Sequence, residues 1–248
     1  MCYHKSLKQD LNYLADYYSA SYSEMMNEIY APRYHENGFD YHATPVVTAG
    51  KPGELQMFNW GMIPFWVKDM ASAVKLRAST LNCISEEMYD KPSFRDAAKE
   101  GKRCLIPCSG FFEWRWVSPD DKKSKKIPYY IHLTTQPLFS LAGLYSRWTD
   151  RSTGSQLYTY SVLTTGANSL MGKIHNTKQR MPVIIPRQYE KDWLNPNLTK
   201  DDVLALCQPY PDTQMDAYTI SKRITSRSEE TNVPEVQDKE FYPEFNSD

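Results

Sequence analysis

No stretch of the sequence offers the ~20 consecutive apolar residues that a membrane-spanning helix needs. The opening, "MCYHKSLKQDLNYLADYY", also lacks the apolar core that precedes signal cleavage. Membrane and secreted roles are therefore not expected, a lipoprotein cysteine at position 2 fails for the same reason, and the compartment expected is the cytosol. Cysteine is sparse: Cys2, Cys83, Cys104, Cys108 and Cys207 form no CxxC pair, and Cys104 and Cys108 have no second pair at zinc-finger spacing. No metal site and no cofactor is expected, and the four later cysteines are expected to be reduced and buried as small hydrophobes. The sequence has no internal repeat and no linker that would divide its 248 residues, a length that suits one large core. An excess of either charge is missing too, since the formal net charge is −1. The charge is unevenly spread, however. Residues 228–248, "SEETNVPEVQDKEFYPEFNSD", hold seven acids and one base, so the remaining 1–227 carry a net of +5. A body of residues 1–227 with an acidic tail of 228–248 is the organisation expected, with room for a basic face on the body.

What is present is a β-rich texture. Segments such as "ELQMFNWGM", "KRCLIP", "GFFEWRWV", "PYYIHLTT", "LFSLAGLYSRW", "LYTYSVLTT" and "RMPVIIP" are rich in aromatic and branched residues and are separated by turn formers. Helical spacing of Leu7, Leu11, Leu14 and Tyr18 predicts a helix near the start, and a second short one runs over 23–29. Short helices also fit "SFRDAAKEG", "ANSLMGKI", "RQYEKDWL" and "KDDVLALC", with Ser93 and Ser169 as candidate caps. The fold class expected is α+β, a single domain on a curved, mainly antiparallel, barrel-like sheet with short peripheral helices.

Four groups of residues could carry chemistry. Cys2 becomes the first residue once Met1 is removed, and then bears an α-amine and a thiol on adjacent carbons. With ordinary pKa values near ~8 and ~8.5, both are partly nucleophilic at neutral pH. An aldehyde forms an imine with the amine, and the thiol then closes a five-membered thiazolidine. Glu113, in "GFFEWRW", shares a strand face with Phe111 and Arg115, while Phe112, Trp114 and Trp116 take the other. A carboxyl among aromatics loses hydration and becomes a proton carrier near neutrality; an ion pair with Arg115 or Arg77 is the competing reading. His175, in "GKIHNTKQRMP", lies in a loop between a helix and a strand, where it can exchange protons or serve only structure. Trp60, Trp66, Lys75, Arg77, Lys91, Arg95, Arg147 and Trp148 interleave aromatic faces with cations, the pattern that holds single-stranded nucleic acid. The same residues read equally as core tryptophans and solvated arginines.

The order and wording of these segments resolve more than any one of them. Cys2, "WGMIPFW", "LRAST", "KPSFR", "RCLIPCSGFFEW", "PYYIHL", "LAGLYSRW", "SVLTTGAN" and "IHNTKQRMPVII" resemble the SRAP family of SOS-response-associated peptidases, which act as abasic-site shields. The resemblance runs from residue 2 to about 186. It implies a β-rich single domain with a basic groove for single-stranded DNA. It also implies a covalent thiazolidine crosslink between Cys2 and the ring-opened aldehyde of an abasic site, Glu113 assisting ring opening and proton transfers, and His175 orienting the site. A thiol autopeptidase activity removing Met1, a monomeric state and association with the nucleoid on DNA follow from the same likeness. Two departures stand out. The family's Met-Cys-Gly-Arg opening is Met-Cys-Tyr3-His4 here, with His4 a candidate for part of the lost charge. The family's Asn-Ala-Arg-x-Glu-Thr segment reads "KLRAST", with Lys75 at the asparagine and Ser79 at the glutamate. These departures keep a second reading alive, a non-catalytic single-stranded DNA-binding module. A third, an N-terminal-nucleophile amidohydrolase using the Cys2 amine as base, has nothing after residue 3 to support it.

Overall fold

The computed structural model describes residues 2–245; Met1, whose removal the resemblance implies, and the last three residues of the acidic tail lie outside them. The strands in chain order are β1 (His4–Leu7), β2 (Arg33–Asn37), β3 (Ala43–Thr48), β4 (Lys51–Trp60), β5 (Asn82–Ile84), β6 (Arg103–Cys108), β7 (Gly110–Trp116), β8 (Lys126–Leu133), β9 (Phe139–Thr149), β10 (Gln156–Gly166), β11 (Arg180–Pro182), β12 (Ile184–Ile185) and β13 (Met215–Thr219). Strands β10, β4, β3, β6 and β9 pair in a ring, because β9 also pairs β10, and this closes a five-stranded barrel. β11 and β12 extend the barrel sheet, and β5 adds to β10. A second sheet runs β13–β8–β7–β1–β2. Among the described strands every pairing is antiparallel except β10 with β4 and with β5. The barrel-like α+β architecture expected from the sequence is the one observed. Closure removes free sheet edges, which a long aromatic-rich strand such as β9 would otherwise expose.

The barrel and the second sheet face each other across one buried cluster. Val46, Phe58, Trp60, Ile106, Leu141 and Tyr160 from the barrel meet Phe111, Ile131 and Cys2 from the sheet. On the far side of β7, Phe112 and Tyr130 pack with Ile220, Ile224 and Val236. That far side is covered by the acidic C-terminal segment. Val236 is fully buried, Gln237 donates to the Tyr34 carbonyl, and Asn232 accepts from the Tyr34 backbone. Within the described residues the segment therefore lies along β2 and β8, on the opposite face of β7 from Glu113.

Several elements depart from the sequence-based expectation. The periodicity around Leu7 predicts a helix, but Leu7 ends β1 and the helix is Leu11–Tyr18, started by Asp10, whose carboxylate accepts from the Tyr13 backbone. β1, β2, β3 and β13 and the helix Met70–Arg77 carry too weak a local pattern to be read from sequence. The caps also shift: Asn168, not Ser169, starts the helix Ser169–Ile174, and Phe94 precedes Arg95–Lys99 without a side-chain cap. All five cysteines are free and buried, as expected of the four later ones.

Candidate active site

β1 lies between β2 and β7, pairing His4 with Phe112, Lys5 with Phe111 and Ser6 with Gly110. Carried one step outward, that register sets Tyr3 beside Glu113, with Cys2 just beyond the strand. Cys2 is fully buried, and its Sγ lies 3.6 Å from the His4 carbonyl. Burial above all, then the charges of Glu113 and Cys108, raises its thiol well above the ordinary value, so the sulfur is held as a neutral thiol. Glu113 occupies the inward face of β7 at 4% exposure. Burial pushes its carboxyl up to about 7, against the opposing Trp114 backbone N–H. A carboxyl at that value is present in both protonation states near neutral pH, the condition for moving protons in either direction.

His175 ends the helix Ser169–Ile174, with its backbone N–H donating to the Met171 carbonyl at 2.7 Å. Its Nδ1 lies 2.8 Å from the Arg180 carbonyl. A carbonyl only accepts, so Nδ1 carries the proton and Nε2 is left as the lone-pair atom. That Nε2 lies 4.0 Å from Glu113 Oε2. Burial lowers the imidazole to about 4, which keeps it neutral at physiological pH. The segment "HNTKQRMP" turns over 176–179, where Lys178 and Gln179 donate back to the His175 carbonyl and Gln179 takes a left-handed φ of 53°.

Lys75 does not stand where the asparagine was expected. It is exposed on the helix Met70–Arg77. Asn82, on β5, is 7% exposed with both amide atoms lacking a hydrogen-bond partner. It follows Leu81, which packs in the same cluster as Cys2. Four residues on, Glu86 grips Arg180 through two bonds of 2.8 Å, and the guanidinium holds its carboxyl down to about 2. Arg180 also donates to the Thr164 carbonyl at 2.6 Å. Asn82, Glu86 and Arg180 are thus residues that sequence reasoning misses. A signal for them exists: "NCISE" has the family's asparagine-to-glutamate spacing and runs directly toward "KPSFR", whereas "KLRAST" matches only an arginine and a threonine.

The expected DNA-contacting residues divide. Trp60 and Trp148 are buried at 0% and 1% and donate to the carbonyls of Leu81 and Val67, so they are core residues rather than stacking platforms. Arg77 is buried as well. Its guanidinium donates to the carbonyls of Trp60 and Gly61 and lies over the Tyr41 ring at 4.1 Å, which leaves it holding the β4 exit rather than free for phosphate. Trp66 is 41% exposed, beside an exposed Phe65 that the sequence pattern does not single out. Trp66 and Lys75 line one groove of about 480 Å³. The Trp66 indole donates to the Pro92 carbonyl, which brings it to the segment carrying the exposed Arg95. Arg147 is exposed on β9 opposite Tyr158. His4 does not replace an arginine's charge. Burial and the adjacent His35, whose Nε2 lies 2.8 Å from His4 Nδ1, push it down to about 3.

Comparison with known proteins bears on this arrangement. The family model "SOS response associated peptidase (SRAP)" matches residues 1–227. The abasic site processing protein YoqW of Bacillus subtilis is 39% identical over 192 residues, covering 77% of this chain and 79% of its own. The abasic site processing protein HMCES of Xenopus tropicalis is 30% identical over 174 residues, 62% of this chain and 49% of its own. A crystal structure of a protein from Bacteroides thetaiotaomicron superposes with a TM-score of 0.89 at 38% identity, covering 97% of this chain and all of that one. A Bordetella bronchiseptica protein shares the fold, with a TM-score of 0.73 at 24% identity. With a buried cysteine at position 2, a glutamate and histidine facing each other and this match over most of its length, the chain belongs to the SRAP family, the SOS response associated peptidases.

Proposed function

We propose that this protein processes abasic sites in single-stranded DNA by forming a covalent crosslink through Cys2, after hydrolysis of the Met1–Cys2 peptide bond. The observation that carries the reading is the convergence of Cys2, Glu113 and His175, with a carboxyl titrating near 7 and an imidazole held neutral. Relatives named abasic site processing proteins support the substrate.

The order of bond formation follows from the protonation states. Burial holds the Cys2 thiol neutral, so the α-amine attacks the aldehyde carbon first. Glu113 in its acid form donates to the ring oxygen of the sugar as the ring opens, and takes back the proton that the anomeric hydroxyl releases as it becomes the aldehyde. It then protonates the carbinolamine hydroxyl, which leaves as water and gives the imine. The thiol adds to the imine carbon, its proton passing to the imine nitrogen through Glu113, and the five-membered thiazolidine closes. Neutral His175 Nε2 accepts a hydrogen bond from a sugar hydroxyl bound beside Nε2 and Glu113 Oε2, which stand 4.0 Å apart. The unpartnered Asn82 amide supplies a donor and an acceptor for the opened sugar. Groups of Cys2, Glu113, His175 and Asn82 supply each of these steps, and the protein acts as a monomer. Phosphates are held by exposed cations and bases by the exposed Trp66.

Intact mass after incubation with an abasic oligonucleotide tests this directly. The expected result is loss of Met1 and a gain of one oligonucleotide less one water, absent in Cys2→Ala. A processed wild-type protein that binds the oligonucleotide and gains no mass would instead favour a non-catalytic binding module.

A further inference from the structure

Beside the site stands a charged element that the chemistry above does not use. Between β7 and β8 the chain turns through residues 117–125, and this hairpin tip with the first residue of β8 carries Lys122, Lys123, Lys125 and Lys126 against Asp120 and Asp121. The tip is ordered. The Asp121 carboxylate accepts from the Lys123 backbone, its carbonyl accepts from the Ser124 backbone, and Ser124 Oγ accepts from the Ser118 backbone. Its base is fixed to the active-site loop. Asn176, the residue after His175, accepts from the Trp116 N–H at 3.1 Å and donates to the Trp116 carbonyl at 2.9 Å. Asn176 belongs to the turn between His175 and Arg180, so that turn secures the hairpin. Trp116 lies three residues from Glu113 on β7, about 10 Å along the strand. Lys126 Nζ sits over its ring at 4.2 Å.

The acidic residues near the tip do not neutralise it. Lys125 pairs with Glu244 of the C-terminal segment. Among the described residues Lys122, Lys123 and Lys126 form no ion pair, and all three are exposed. Three exposed ammonium groups outside any ion pair, on a hairpin whose four lysines outnumber Asp120, Asp121 and Glu244 by one and which is anchored beside the catalytic histidine, complement a polyanion passing out of the site.

We propose that the β7–β8 hairpin is a phosphate-binding arm, in which Lys122, Lys123 and Lys126 hold the sugar-phosphate backbone of the strand that flanks the reacting nucleotide. The inference rests on the single-stranded DNA reading above and names a surface for it. A lysine offers a point charge and three rotatable donors, so the arm grips phosphate without reading sequence.

The test is fluorescence anisotropy with a labelled, undamaged single-stranded oligonucleotide between about 50 and 200 mM salt. It compares the wild-type protein, the triple variant Lys122→Ala/Lys123→Ala/Lys126→Ala and the corresponding triple Lys→Arg variant. Three lost contacts at about 0.7 released counterions each predict a salt slope shallower by about 2, and an affinity at the low-salt end lower by roughly tenfold. The arginine variant keeps the charges and is expected to retain the wild-type slope. Unchanged slope and affinity in the alanine variant, with a wild-type protein that binds and crosslinks, would overturn the arm while leaving the proposed function standing. A wild-type protein that fails to bind single-stranded DNA at any of these salt concentrations would overturn both.

Discussion

Glu113 and His175 share a face-to-face geometry but titrate in different ranges, and that separates their roles. Burial sets both shifts, raising the acid to about 7 and lowering the base to about 4. An inflection in the crosslinking rate near pH 7 is therefore expected from Glu113, below the one that the attacking α-amine, ordinarily near ~8, contributes. Glu113→Gln, which keeps shape and removes titration, is expected to lower the rate by about two orders of magnitude, the range typical of a lost general acid–base group, and to abolish the inflection. His175→Ala is expected to lower the rate while leaving an inflection near 7. A pH–rate profile for both variants checks this, and an inflection near 7 that survives Glu113→Gln would reassign the proton carrier. Strand alternation in "GFFEWRW" suffices to assign Glu113 to its face, because the period of two is a local property of the chain. The competing ion pair with Arg77 is excluded only by the fold, which spends that guanidinium on the carbonyls of Trp60 and Gly61.

At the scale of elements, long strands with aromatic and branched residues are legible because their pairing partners lie close in sequence. β9 and β10 are neighbours in a hairpin, and each carries a continuous buried run, residues 139–144 in one and 159–165 in the other. β1 is not legible: Leu7, where the helical spacing begins, ends a strand only because β2 and β7, distant in sequence, supply partners on both sides. The barrel also imposes requirements that composition does not reveal. A Cβ on Gly143 of β9 would stand 2.6 Å from Ile106 Cδ1 and 2.9 Å from the Ser161 carbonyl oxygen. Side chain and backbone crowd it together, so Gly143→Ala is expected to destabilise the protein by about 1–3 kcal/mol, measured by urea unfolding. An unchanged midpoint would mean that the barrel is more loosely packed there than its contacts imply.

For the whole molecule, three histidines held neutral set the acid limit of stability. Burial lowers His4 to about 3, and His35 and His175 to about 4, from an ordinary 6.5. The unfolded chain takes up these protons as pH falls through 6.5, while the folded protein does not until about 4. The stability they contribute is therefore complete above 6.5 and lost as pH drops toward 4, at up to about 1.4 kcal/mol per pH unit for each histidine. Glu113 acts in the opposite sense. Its carboxyl is raised, so its contribution is present below 4.5 and is lost as pH rises toward 7, offsetting one histidine over that interval. The net expectation is a melting temperature that falls steeply between about pH 6.5 and 4.5. Scanning calorimetry across that interval checks it, and a flat response would show that these imidazoles are not held neutral. His4→Gln and His35→Gln should each flatten the slope.

The sequence alone determined the β-rich α+β class and the family and singled out Cys2, Glu113 and His175 as candidates, because strand alternation and exact motif wording are local properties. Only the tertiary structure decided which tryptophans face solvent, that Arg77 serves the backbone, and that Asn82 is buried while Lys75 is exposed. Burial is a property of the packed whole. A tryptophan or an asparagine carries no mark of the side from which distant strands will cover it, and the pKa values on which the chemistry depends are set by that same covering.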